Sequence, residues 1–360
     1  MRKYRKPSTN SHSTSTPDPI IRPMHRVLRV VSLLSLAAGN ALAAEYSVPQ
    51  HDEVFGAAQV ISAHYEDTFV AFAQKYNVGY EALKRANPGV DPWLPGEGTR
   101  VVIPTQFVIP HAPQRGIVVN IAELRLYYFP DDAAGAADSH GNRRIVTYPI
   151  SIGQLDWSTP LGTTKVTGKV LNPSWYPPQS IRAEHAERDD VLPRVVPPGP
   201  DNPLGKHALR LGLPSYLIHG TNMPSGIGMR VTHGCVRMFP WDIEALYKVV
   251  PVGTPVTIVN QPYKLGWTEQ GLYLEAHPPL SKDAPKETDE PSKTDTAEAD
   301  VPLEGSLTEL TRAYVAATQT RRADMRWDLA ETVIQSARGL PELITTGTPA
   351  VKDVAAANKD

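Results

Sequence analysis

Thirty-five of the 360 residues are proline. A ring-locked residue without an N–H, at about one position in ten, cannot sit in long helices because it breaks their interiors. The chain is therefore read as mostly β and rich in loops. At 41% hydrophobic residues it has enough apolar content for a core, and its length suggests about two domains. Thirty-six Lys+Arg against 38 Asp+Glu leave a formal charge of −2, so nothing in the overall charge favours nucleic acid. The single cysteine, Cys235, excludes an intramolecular disulfide framework and any multi-cysteine zinc module.

The N-terminus has the shape of a targeting segment. Arg26 and Arg29 precede an apolar run from Val30 to Ala38, then Ala41-Leu42-Ala43. A basic region, a short apolar stretch and an A-x-A site predict a cleaved secretory signal over residues 1–43, with Met24 the better-shaped start. The run is shorter than the roughly 20 residues that span a bilayer, so no transmembrane anchor is expected. In an oxidising compartment, a lone cysteine points to intermolecular pairing or to a thiol with a chemical task.

Residues 45–110 read as a small α+β unit in the order β-α-α-β. Asp67 or Thr68 is placed to cap a helix that starts at Phe69. A second helix over Gly79 to Ala86 is stopped by Asn87-Pro88-Gly89, and the turn Leu94 to Thr99 feeds a strand from Arg100 to Ile103. Residues 115–262 read mostly as strands: Gly116 to Ile121 and Arg125 to Phe129 as a hairpin, then Arg144 to Ile152, Thr163 to Val170, Ala208 to Leu213, Tyr216 to His219 and Thr254 to Val259. Asp242 is expected to cap a helix from Ile243 to about Val249. The proline-rich stretch from Asn172 to Pro203 is expected to be a long loop, and such loops are often lids or binding surfaces. Trp175 and Tyr176 within it are candidates for a sugar or peptide platform, or for packing the loop down. The acidic, low-complexity run 281–300 predicts a disordered linker. Residues 306–338 return to helical spacing and predict an amphipathic tail on the main domain or on a partner.

Chemistry concentrates in two segments, Ile218-His219-Gly220-Thr221-Asn222 and Thr232-His233-Gly234-Cys235-Val236-Arg237. A thiol becomes a strong nucleophile when a neighbouring base or positive charge favours thiolate, and histidine is the usual partner. His219 ends a strand, and Cys235 is expected to precede a helix directly. That placement predicts a low-pKa thiol and an oxyanion hole from the N–H groups of Gly234 and Cys235. Two other readings are open: a metal site on His219, His233 and Cys235, and a buried cysteine among core histidines.

The order "IHGTN…GIG…THGCVRM", its spacing and the following "LYKVVPVGTPVTI" resemble the YkuD-type L,D-transpeptidases, closest to the ErfK/YbiS subgroup of Gram-negative bacteria. The first unit, with Glu66-Asp67-Thr68-Phe69, "AQKYNV", "LKRANP", "LPGEGT" and "VVIP", resembles the LysM peptidoglycan-binding module. These resemblances imply a mostly β catalytic domain, a YkuD-like β-sandwich with a short helix after the nucleophile, over 115–262. The LysM-like module would occupy 45–110, and the protein would be periplasmic. They imply a cysteine enzyme acting on peptidoglycan. Cys235 would attack the diaminopimelate carbonyl of a tetrapeptide stem and release D-alanine. The acyl group would pass to an amine of another stem or of an outer-membrane lipoprotein. His219 would move the proton, oriented by a carbonyl around Gly220. His233 would flank the site, and Arg237, Asn222 and Trp175 would meet substrate. Glycan strands and stem peptides are the implied partners, with no metal or organic cofactor. Two alternatives are a hydrolase working through the same acyl-enzyme and a non-catalytic wall-binding protein.

Overall fold

In the computed structural model, residues 44–131, 137–154, 159–280 and 303–345 are described. The expected signal segment and the 281–300 linker lie outside them. The chain opens with β1 (Ala44–Val48) and β2 (Val54–Gly56). Then come β3 (Gln59–Ser62), α1 (Phe69–Tyr76), α2 (Tyr80–Ala86) and β4 (Arg100–Ile103). Antiparallel pairing of β3 with β4 gives a small βααβ unit. Thr68 caps α1, its Oγ1 accepting from Ala71 N at 3.1 Å. Phe69, Phe72, Leu83, Val101 and Ile103 form the unit's core. β5 (Gln106–Val108) returns to pair with β2.

The main sheet takes β6 (Gly116–Asn120), β7 (Arg125–Phe129), β8 (Arg143–Gly153) and β9 (Gly162–Leu171). After α3 (Gln179–Ala186) it adds β10 (His207–Leu211), β11 (Leu217–His219), β12 (Arg230–Thr232) and β13 (Val236–Met238). After α4 (Pro240–Val249) it ends with β14 (Pro255–Val259). Strand order runs β8-β13-β11-β10-β9-β14-β6-β7, and β7 pairs back onto β8. The expected two-layer sandwich is thus one sheet closed on itself, which leaves no open edge along that circuit. Its core gathers Val119, Leu126, Ile150, Leu209, Ile218, Val236 and Met238, with Ile243 and Leu246 of α4.

Four expectations are corrected. β1 pairs with β8, so residues 45–48 belong to the main sheet and not to the first unit. The helix after Cys235 is not adjacent to it: β13 intervenes, and α4 begins at Pro240, whose fixed φ and missing N–H suit a first helical position. Asp242 is not the cap; it is buried in the first turn of α4 and accepts from Asn77 Nδ2 at 3.0 Å. The proline-rich segment is not wholly irregular, because its proline-free stretch after Pro178 forms α3. Asn202 is fully buried and staples this segment, donating to the carbonyls of Pro173, Val196 and Pro197.

The expected helical tail is part of a third unit. β15 (Tyr263–Thr268), β16 (Gly271–Ala276), α5 (Leu303–Ala317), α6 (Trp327–Ser336) and β17 (Glu342–Leu343) share a core of Trp267, Leu272, Leu310, Val333 and Ile344. A buried charge network joins this unit to the others. The Lys264 ammonium lies 2.7 Å from Glu123 and 3.0 Å from Glu275, and donates to Val108 O at 2.7 Å and to the Tyr127 hydroxyl at 3.0 Å. His277 bonds Glu275 at 2.6 Å. Glu123, Glu275 and His277 lie close enough together to hold a cation, and the Lys264 ammonium already sits on both carboxylates.

The first unit grips the segment between His219 and Cys235. Gly79 offers no capping side chain, and the N–H groups of Tyr80 and Glu81 at the start of α2 donate to Ile227 O and Gly228 O, at 3.1 and 3.3 Å. These are donors that a helix start otherwise leaves unpaired. Gly228 has φ +89°, and a Cβ there would lie 2.3 Å from Gly79 Cα. Gly228→Ala should therefore lose about 2 kcal/mol or more of stability, by strain and by undocking. Urea unfolding of wild type and variant measures it, and an unchanged midpoint would mean that this contact is dispensable.

Candidate active site

β11 and β13 run parallel, with Ile218 opposite Val236 and His219 opposite Arg237. Ile218 and Val236 point into the core. Alternate residues along a strand point to opposite faces, so Leu217, His219, Cys235 and Arg237 share the outer face. The structure thus places the histidine that ends β11 and the cysteine that immediately precedes β13 on one face. Ser151 of β8, opposite Arg237, lies on the same face.

His219 is buried, 4% exposed, and its Nδ1 lies 2.7 Å from Gly220 O. Donation from Nδ1–H to that carbonyl fixes the tautomer and leaves Nε2 as the acceptor. Burial, and next the neighbouring Arg237 guanidinium, push the imidazole down to about 3. The resting ring is neutral. Gly220 N donates to His207 O at 3.1 Å, and a Cβ on Gly220 would press Ile243 at 3.1 Å, so the carbonyl that orients His219 is itself held on both sides.

Cys235 follows a tight turn. Gly234 has φ +100°, which favours glycine. Thr232 Oγ1 donates to Cys235 O at 2.6 Å, and Thr159 Oγ1 donates to Gly234 O at 2.9 Å. In a planar trans peptide the N–H points opposite to the carbonyl. Anchoring Gly234 O on Thr159 therefore turns the Cys235 N–H to the other side. The Cys235 side chain is partly open to solvent, yet its sulfur sits in a desolvated neighbourhood. That desolvation pushes the thiol up, against the Leu217 N–H and the Arg237 charge. The expected low-pKa thiol is corrected accordingly. The helix start that was to lower it lies beyond β13, and His219 is neutral, so thiol and imidazole rest uncharged.

The remaining candidates are spread. His233 Nε2 bonds Glu184 Oε2 of α3 at 2.9 Å, tying the turn to the proline-rich segment. Arg237 is largely buried beside His219 and Cys235, and among the described residues its Nε has no hydrogen-bond partner. Asn222 is exposed on the turn after Thr221. Trp175 is held in a bridge with Val196, and the exposed aromatic beside the outer face is Tyr176. Sequence reasoning missed Thr159 and Glu184. Thr159 stands in "STPLGTT", which carries no catalytic signal of its own. Glu184 had none either.

Residues 114–258 match the YkuD family model, the L,D-transpeptidase catalytic domain. The chain is 48% identical to YcfS of Escherichia coli K12, a probable L,D-transpeptidase, over 59% of its own length and 65% of that protein. It is 45% identical to YbiS of the same strain over 58% and 66%. The matches therefore span just under two thirds of these two relatives. ErfK/SrfK of Salmonella typhimurium is 36% identical over 87% of this chain and 95% of that one. The chain belongs to the L,D-transpeptidase family.

The depressed histidine makes stability depend on pH. An unfolded chain protonates His219 near 6.5, whereas the folded chain does so only near 3. Between those values the unfolded state binds more protons, so this contribution is complete above 6.5 and is lost as pH falls toward 3. Between pH 7 and 4 the loss through this residue should be roughly 2–4 kcal/mol. Urea unfolding at both pH values should show a shallower pH dependence for His219→Gln than for wild type. Equal slopes would place His219 outside a desolvated site.

Proposed function

We propose that the protein is a peptidoglycan L,D-transpeptidase in which Cys235 is the nucleophile and His219 the proton carrier. The observation that carries this reading is the common outer face of His219 and Cys235, with Nδ1 of the histidine committed to Gly220 O. Because both groups rest neutral, proton transfer accompanies attack. Sγ attacks the diaminopimelate carbonyl of a tetrapeptide stem while its proton passes to Nε2. The carbonyl oxygen gathers negative charge, which the N–H groups of Gly234 and Cys235 receive. The tetrahedral adduct collapses, the C–N bond breaks, and the proton on Nε2 goes to the departing D-alanine nitrogen. An amine then attacks the thioester, passes its proton to Nε2, and sulfur leaves and recovers a proton. A diaminopimelate amine of a second stem gives a 3→3 cross-link; a lipoprotein lysine and water are the other acceptors. His233, held by Glu184, shapes the turn, and Arg237 faces substrate.

Cys235→Ala should form no acyl-enzyme with a carbapenem, whereas wild type gains its mass on the peptide holding Cys235. His219→Ala should slow D-alanine release by about 10²–10⁴-fold, the range for removing a positioned general base. His233→Ala should lose less. A larger loss in His233→Ala than in His219→Ala would reverse the two roles. Mass spectrometry of muropeptides after incubation with sacculi identifies the acceptor.

The βααβ order of the first unit, with the motifs quoted above, supports a LysM-like role in binding glycan strands. The basic and apolar N-terminal pattern supports export to the periplasm. Among the described residues no helix is long and apolar enough to cross a membrane. Full-length Cys235→Ala protein should sediment with sacculi, and chitooligosaccharide should compete it off. Sedimentation that ignores the sugar would assign wall binding to another surface.

A further inference from the structure

The outer face that carries Cys235 continues across β11, β10 and β9. Antiparallel register places Arg210 opposite Leu217 and Gly168 opposite Arg210. Leu209 and Leu211 point into the core, so Arg210 stands on the outer face, in the same row as Leu217 and Cys235. Neighbouring strands lie about 4.8 Å apart, which puts the Arg210 backbone about 10 Å from that of Cys235. Gly168 lies against its stem, where a Cβ would make ordinary contact with Arg210 Cδ at 3.7 Å. Arg210 is exposed and has no salt bridge among the described residues. It borders a cavity of about 250 Å³ between this face and the proline-rich segment. Ser174, Tyr176, Ala208 and Leu217 also line it, and Arg210 supplies its one charge among the lining residues.

We propose that Arg210 is a specificity-determining residue that holds a free carboxylate of the acyl-donor stem peptide, carried one residue's reach from the attacked carbonyl. This rests on the transpeptidase reading of the same site. A lone guanidinium in a partly enclosed cavity selects a planar anion it can bind through two N–H groups. Stem peptides supply such groups: a residue joined through its side-chain carboxyl keeps its α-carboxylate free, and diaminopimelate carries a second carboxylate of its own.

The test uses the mature chain and tetrapeptide donors whose terminal D-alanine carboxylate is free throughout, in three forms: the other two carboxylates both free, the one preceding diaminopimelate amidated, and the one on the diaminopimelate side chain amidated. D-alanine release reads acylation alone. Wild type should lose about 10- to 100-fold in kcat/KM on one of the two amides, mostly through KM, because the contact exists before and during attack. That amide identifies the carboxylate. Arg210→Ala should be slow on all three donors with the discrimination gone, and Arg210→Lys should restore part of it. Unchanged thermal midpoints and iodoacetamide rates at Cys235 would confirm intact folding and thiol access. The proposal is overturned if wild type takes all three donors equally, or if Arg210→Ala still discriminates. Release from none of them by wild type would sink the transpeptidase reading itself and this proposal with it.

Discussion

Parallel pairing of β11 with β13 is the constraint on which the site depends. Two three-residue strands running the same way cannot be joined by a tight hairpin, so the chain must leave after His219 and travel back before Cys235. That excursion has little regular structure of its own, and it is held from outside. Ser151 Oγ donates to Gly226 O at 2.7 Å from the main sheet, and the start of α2 donates to Ile227 and Gly228 from the first unit. The site is therefore not a property of the catalytic sheet alone. Its connecting segment is a packing surface for a neighbouring unit.

The buried charges around Lys264 make the same point on the other side of the molecule. An ammonium fully removed from water is costly unless its partners are complete. Here two carboxylates, a carbonyl and a hydroxyl surround it, drawn from the main sheet, the β5 segment and the C-terminal unit. Removing any one partner leaves a buried polar group short of a contact. Such a network is poor evidence for net stability; what it does is tie these elements to one another.

Much of this was legible in the sequence where the signal is local. The strand ending at His219, the helix cap at Asp67 or Thr68, which the structure gives to Thr68, and the stop after Ala86 each follow from a few adjacent residues. The mostly β character followed from proline and β-branched runs. What failed was long-range or competed with a plausible local reading. Asp242 looks like a helix cap, but Pro240 starts the helix earlier and Asn77 claims the carboxylate. The 306–338 helices showed their apolar stripe, not the β15–β16 hairpin that covers it. Thr159 reaches Gly234, and Glu184 reaches His233, from positions whose sequence neighbourhood says nothing of the turn they support. A two-layer sheet and a closed one share the same strand patterns, and only the β7–β8 pairing separates them.

The grip on the first unit has a geometric consequence. It is fastened through Asn77 to α4, through α2 to the segment before Cys235, and at its far end by Arg338 Nη2 on Ala86 O. A domain on a flexible tether samples a sphere of positions around its anchor. One bolted at three points does not. The span between the first unit and the sulfur of Cys235 is then a fixed length, and under the glycan-binding role proposed above a strand seated on that unit would meet the sulfur at one offset.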